Sequence, residues 1–423
     1  MKIRIHSGRV IDPVTGGDEV RDVLVDQGII IDPQIVGGNF TADYEVNATG
    51  KVVCPGLIDL QARLGEPGQE HKATMQSELS AAVSGGITSV CVPPDTHPII
   101  DTPAMVHMVR GRGRRIKKAR VYPLGALTMG LAGERLSDMA ALRDAGCTGV
   151  SNVDQSIDNT LIMRRAMQYA STFDLTLFLT ALDPWLKGNG CVHEGEVSTR
   201  LGLPAIPEAA EVVALARELA LIETTGACAH ITQLSCARSV EQVRQAKVRG
   251  LKVTAAVSAH HLHLCEQDIG EFDTRCHVMP PLRSITDRDA LRAGLVDGTI
   301  DAICSDHQPH GLDAKLAPFS ESAPGITGLE TLLSLTLQLV DEETISLSDA
   351  LSRITIKPAQ ILGIDVGRFT PGAPADICIF DPDARWTIDA SCLKSRGSNT
   401  PFDGHSLPGI VETVLVAGQP IVN

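Results

Sequence analysis

The 423-residue chain carries 37 Lys and Arg against 51 Asp and Glu, a formal charge of -14, so nucleic acid and anionic membrane are not expected partners. Hydrophobic residues make up 43% of it but aromatic ones only 3%; Val, Ile, Leu and Ala must fill the core, which suits helices layered on a buried parallel sheet. No apolar run is long enough to span a bilayer, and eleven cysteines without a CxxC spacing read as small core residues in a reducing cytoplasm.

The start, Met1 to His6, alternates charge and apolarity like an edge strand and has no signal-peptide core. Residues 1–53 continue as short strands with turns such as Thr15-Gly16-Gly17. From Cys54 onward β-branched runs alternate with capped helical stretches. Leu175–Thr180 and His230–Leu234 read as strands, and between them Glu208–Thr225 places Val212, Val213, Leu215, Ala216, Leu219 and Ile222 on one helical face before Gly226. Ser239 with Gln242 reads as a capping box for a helix closed by Gly250, and strands follow at Lys252–Val257 and Thr299–Ser305. Roughly eight such strands fit between Cys54 and Leu351, favouring a (β/α)8 barrel over an open sheet. The expected organisation is a barrel over 54–355 and one small β domain assembled from 1–53 and 356–423. The basic run Arg110 to Arg120 is expected to be a solvated surface, with an acidic partner as the alternative.

Several ordered motifs give the chain a family. Pro55-Gly56-Leu57-Ile58-Asp59-Leu60 with Glu66-Pro67-Gly68, Asn189 to Gly202, Val253 to Leu262, Pro280-Pro281-Leu282-Arg283, Ser305 to His310, Gly325 to Glu330 and Asn399 to Gly404 together resemble bacterial dihydroorotases of the amidohydrolase superfamily. That resemblance implies a TIM-like barrel of the amidohydrolase type with a small β-sandwich domain formed by both termini.

The family's chemistry needs hydroxide held against a polarised carbonyl, and it obtains both from divalent metal at the strand C-termini. Its first two ligands form a His-x-His pair, whose i and i+2 spacing on a strand aims both rings the same way. The corresponding residues here are Gln61 and Arg63; a neutral amide is a weak ligand, and a guanidinium has no lone pair and a permanent charge. The anionic bridging position aligns with Asn152 or Val153. Asp154 lies one residue off, which on a regular strand would turn it to the other face. The remaining histidine ligands align with Thr180 and Gln233. Asp306 survives as a vestige of the catalytic aspartate, without a metal to supply a nucleophile. By the same resemblance, the substrate-binding arginine is replaced by Gly65 and two asparagines by Asp95 and Met279, while His310 is retained.

Among the other histidines, His260, His261 and His263 are expected outside any metal shell, His230 in the core, and His307 as a structural hydrogen bonder. Gly325-Ile326-Thr327-Gly328 matches no phosphate-binding fingerprint. Arg63 is expected to contact Asp306 through a charge-assisted hydrogen bond, standing in for lost positive charge. The resemblance implies a catalytically inactive dihydroorotase homologue with no cofactor, whose partner is the catalytic chain of aspartate carbamoyltransferase in a large hetero-oligomer. The alternatives are an active cyclic amidohydrolase with a rearranged metal site and a metal-free module that senses a pyrimidine intermediate.

Overall fold

A computed structural model describes residues 1–32 and 40–421; the parts of the small-domain expectation at 33–39 and 422–423 lie outside the described residues. The N-terminal strands are β1 (Lys2–Asp12), β2 (Gly17–Asp26), β3 (Ile29–Ile31), β4 (Tyr44–Asn47) and β5 (Val52–Pro55). The barrel then runs through β6 (Leu57–Asp59), β7 (Ile87–Val92), β8 (Arg120–Pro123), β9 (Gly125–Ala126), β10 (Val150–Ser151) and β11 (Leu177–Leu179). After a short outlying pair, β12 (Val192–His193) and β13 (Ala205–Ile206), it resumes with β14 (Ala229–Ile231), β15 (Val253–Ser258) and β16 (Ala302–Cys304). The chain ends in β17 (Ile377–Thr387), β18 (Ser406–Val416) and β19 (Gln419–Ile421).

The barrel strands pair in parallel with their sequence neighbours. β8 and β9 are one barrel position interrupted at Leu124, whose amide donates to Val92 at 2.9 Å. Strands covered on both faces lose the polar half of their alternation, and β7 is buried at every residue. The ring closes between the ends of the first and last strands. Ala62 pairs in parallel with His307, the Arg63 amide donates to His307 O at 2.9 Å, and the His307 amide donates to Gln61 O at 3.2 Å. This closure sets Gln61 and Arg63 beside Asp306.

Strands from the two ends of the chain join in one hydrogen-bonded path, β19-β18-β17-β5-β1-β2-β3, with β4 also on β1. Ile3, Ile5, Val23, Val25, Ile377, Ile379 and Leu415 share its core. Both expected domain junctions shift. Cys54 and Pro55 pair with β17 in the small sheet. The helix Ile356–Leu362 instead belongs with the barrel, where Ala359, Ile361 and Leu362 share a buried cluster with Ile58, Leu60 and Phe178. Arg120 fastens the two parts together through Asp376, donating from Nε at 3.0 Å and from Nη2 at 3.1 Å.

Two helices depart from the expected detail. In Ala209–Thr225 the buried face carries Glu211, Val212, Leu215, Glu218, Leu219 and Ile222, whereas Val213 and Ala216 are exposed. Two carboxyl groups take inward positions that apolar periodicity assigns to neighbours. The next helix is Ala237–Val248, capped at Cys236, so Ser239 lies inside its first turn. The carboxylate that accepts from the Ala237 amide, at 2.9 Å, is Asp287 of a neighbouring helix, a capping group invisible to local sequence. Among the described residues no helix is long and apolar enough to cross a membrane.

Candidate functional site at the barrel mouth

The C-terminal ends of the strands converge on Arg63. Its Nε donates to Asp95 Oδ2 at 2.7 Å and its Nη2 to Asp154 Oδ2 at 3.1 Å, while Nη1 lies 3.8 Å from Asp306 Oδ1. The expected Arg63–Asp306 hydrogen bond is therefore corrected to an ion pair beyond hydrogen-bonding range. Asp306 sits deeper, at 2% side-chain exposure against 20% for Arg63, and the carboxylates nearer solvent take the directed N–H groups. Two amides satisfy Asp306 instead: Gln61 Nε2 donates to Oδ1 at 3.1 Å and Gln308 Nε2 to the same oxygen at 3.2 Å.

Asp154 is the second correction. Alternation would turn it away, but the strand ends at Ser151 and Val153 has φ +52°. This left-handed residue resets the direction of the chain and swings Asp154 into the mouth. Asn152 is consumed locally: its Oδ1 accepts from Thr128 Oγ1 at 2.7 Å, and its Nδ2 donates to Leu131 O and Gln155 O at 3.2 and 2.8 Å. Thr180 and Thr232 share a hydroxyl hydrogen bond of 3.0 Å. Gln233 is buried, with neither amide atom hydrogen-bonded among the described residues.

At the expected substrate positions, backbone shape matters as well as side-chain chemistry. Gly65 has φ +71°, and a Cβ there would lie 2.3 Å from Ala73 O. Met279 packs beside Leu182, Ile206 and Ala210. His310 remains, with its amide donating to Asn399 Oδ1 at 2.8 Å and its Nε2 to Pro324 O at 3.1 Å. Restoring an arginine by Gly65→Arg is expected to destabilise the chain by about 1–3 kcal/mol through backbone strain, without creating dihydroorotate binding. Calorimetric titration of a folded variant that binds dihydroorotate would contradict this.

Burial pushes the Asp306 carboxyl up to about 7, with Asp154 and Asp59 adding to the rise and Arg63 and Gln308 opposing it. Burial alone would lower the Arg63 value, but Asp95, Asp154 and Asp306 hold it above that of a free guanidinium. The His310 imidazole is pushed down to about 4, first by burial and then by Lys72. In front of the cluster lies a cavity of about 290 Å³, lined in part by Arg63, Lys72, Asp95, Asp154, Gln308 and His310. Sequence reasoning missed Lys72 and Gln308; Gln308 follows the recognisable Asp306 by two residues and was within reach of the same argument.

The other histidines are engaged in structure. The Gly328 amide donates to His307 Nδ1 at 3.1 Å, so Nε2 carries the proton and donates to Glu78 Oε2 at 2.8 Å. His230 contacts Thr254 Oγ1 at 2.9 Å beside Phe178. His260 and His261 lie in a 3-10 turn after β15, not on a strand, and both contact Ser258 Oγ. His263 Nε2 donates to Leu335 O at 2.8 Å.

The mouth does not fit a divalent metal. Among the described residues no group of three or more His, Cys, Asp or Glu side chains is arranged to hold one, and a fixed guanidinium lies among the carboxylates that could contribute. Among the described residues the arrangement offers carboxylates engaged with the Arg63 guanidinium and with the Gln61 and Gln308 amides, and Lys72 on the wall of the same cavity.

The architecture is that of the amidohydrolases, and the Amidohydrolase family pattern matches residues 162–421. The Dihydro-orotase-like pattern matches residues 50–239. A "Dihydroorotase-like protein" of Pseudomonas putida is 45% identical over 99% of each chain, and one of Pseudomonas aeruginosa is 44% identical over the same shares. A "Dihydroorotase" of Pelobacter propionicus is 41% identical over 100% of this chain and 99% of its own. The chain belongs to the dihydroorotase-like proteins of the amidohydrolase family. In fold it is also similar to the L-hydantoinase of Arthrobacter aurescens, with a TM-score of 0.88 at 22% identity over 99% of this chain and 95% of the other.

Proposed function

We propose that the chain is a catalytically inactive dihydroorotase homologue that serves as a structural subunit for aspartate carbamoyltransferase in pyrimidine biosynthesis. The observation that carries the loss of catalysis is Arg63, a permanent cation on a first-strand ligand position, bonded to Asp95 and Asp154. With Gln61 hydrogen-bonded to Asp306, neither residue of the first ligand pair is an imidazole. The partner rests on family resemblance: an intact scaffold with altered chemistry is suited to assembly. Purified protein is expected to contain no stoichiometric zinc and to show no dihydroorotase turnover, and the carbamoyltransferase chain to lose assembly or activity without it. Stoichiometric zinc by elemental analysis, or full carbamoyltransferase assembly and activity in its absence, would count against the proposal.

The relatives named dihydroorotase at 40–42% identity favour a second reading, an active cyclic amidohydrolase with a rearranged metal site. Zinc together with turnover abolished by Asp306→Asn would select it.

A further inference from the structure

We infer that Arg63 is the resident cation of the barrel mouth, an organic cross-link that holds the segments following four strands without any metal. The inference rests on the metal-free reading of the mouth and adds what replaces the metal. Arg63 follows β6, Asp95 follows β7, Asp154 follows β10 and Asp306 follows β16, so one guanidinium reaches carboxylates on three other segments. Such convergence is unfavourable without a counter-charge, because three carboxylates gathered around one point repel one another. A planar guanidinium matches this geometry because its N–H groups diverge, serving Asp95 through Nε and Asp154 through Nη2 while Nη1 faces Asp306. Among the described residues no other Lys or Arg lies within ion-pair distance of these three carboxylates. Lys72 lines the same cavity, and Lys187 acts on Asp154 only from a distance. Gln61 and Gln308 donate to Asp306 but carry no charge. A cation attached through its own side chain neither dissociates nor yields to chelators, so the order of the mouth is independent of metal supply.

The charge balance makes the sign of a second substitution diagnostic. In the full-length protein, Asp154→Asn removes a favourable bond and is expected to lower the melting temperature. In an Arg63→Met background the same change removes repulsion and is expected to raise it. Arg63→Met alone is expected to melt roughly 5 °C below the wild type, a modest figure because the ion pairs are partly screened. Arg63→Lys should fall between them, and neither EDTA nor added zinc should move the wild-type transition. If Arg63→Met does not fold, Arg63→Lys provides the second background, in which Asp154→Asn must be less harmful than in the wild type. Equal melting of Arg63→Met and wild type, or the same destabilisation by Asp154→Asn in every background, overturns the inference. These results would leave the metal-free reading standing if elemental analysis finds no zinc; stoichiometric zinc overturns both.

Discussion

Replacing Arg283 with methionine is expected to cost about 3–5 kcal/mol of folding stability, because it leaves a buried carboxylate without its cation. Arg283 and Glu211 are 1% and 2% exposed and lie 3.3 Å apart. Arg283 Nε donates to Ser235 Oγ at 2.7 Å and Nη1 to His193 Nδ1 at 3.2 Å, while the Ser235 amide donates to Glu211 Oε1 at 3.0 Å. The group therefore locks the segment after β15 to the helix Ala209–Thr225, the end of β14 and β12. Burial, followed by the charge of Arg283, holds the His193 imidazole below its ordinary value, which keeps it an acceptor for the guanidinium. Denaturant unfolding should show the loss, and Arg283→Met with Glu211→Gln should lose less than the sum of the two single changes. A single-variant loss below about 1 kcal/mol would mean that the pair has little structural weight.

A stability that falls as pH rises above 5, and is recovered by Glu218→Gln, is the second large effect expected. Glu218 is 3% exposed, and its Oε2 has no hydrogen-bond partner among the described residues. Burial pushes its carboxyl up to about 8, with Arg217 opposing the rise. Below the ordinary value near 4.5 both folded and unfolded chains hold the proton, and the group has no net effect. Between that value and about 8 the unfolded chain releases the proton first, so stability declines with pH; above 8 the full cost, on the order of 3–5 kcal/mol, is present. Glu218→Gln should match the wild type near pH 4 and exceed it at pH 8.5 in denaturant melts. Parallel pH curves for the two proteins would rule out this role for the carboxyl.

The parallel α/β class was readable because βα alternation and strands with apolar runs leave few architectures that bury both faces; the count of about eight strands and the family resemblance, not the periodicity, favoured the barrel over an open sheet. The i, i+2 spacing of Gln61 and Arg63 likewise placed both beside Asp306, since residues two apart on an extended segment face one way; that they stand at ligand positions is what the resemblance implies. Asp154 escaped because Val153 takes a left-handed conformation that a regular strand would not. The partners of Arg63 were hidden for a different reason: Asp95 and Asp154 compete with Asp306 for one guanidinium, and only three-dimensional depth decides among them. In the helix Ala209–Thr225, Glu211 and Glu218 face inward where pattern reading expects apolar residues, one with a cation and one without a partner for its Oε2. The same limitation displaced the helix start at Ala237, whose carboxylate cap comes from a distant segment.

The interleaving of the chain's two ends in one sheet also has a consequence on the ribosome. Lys51 and its ion-pair partner Asp381 are 330 positions apart, so during translation the early strands wait on the order of 20 s to a minute for their neighbours. Throughout that interval β5 presents the edge that β17 will cover, making the nascent chain most prone to sticking before its last strands emerge. Pulse-labelled chains stalled before residue 377 should be the species that chaperones retain.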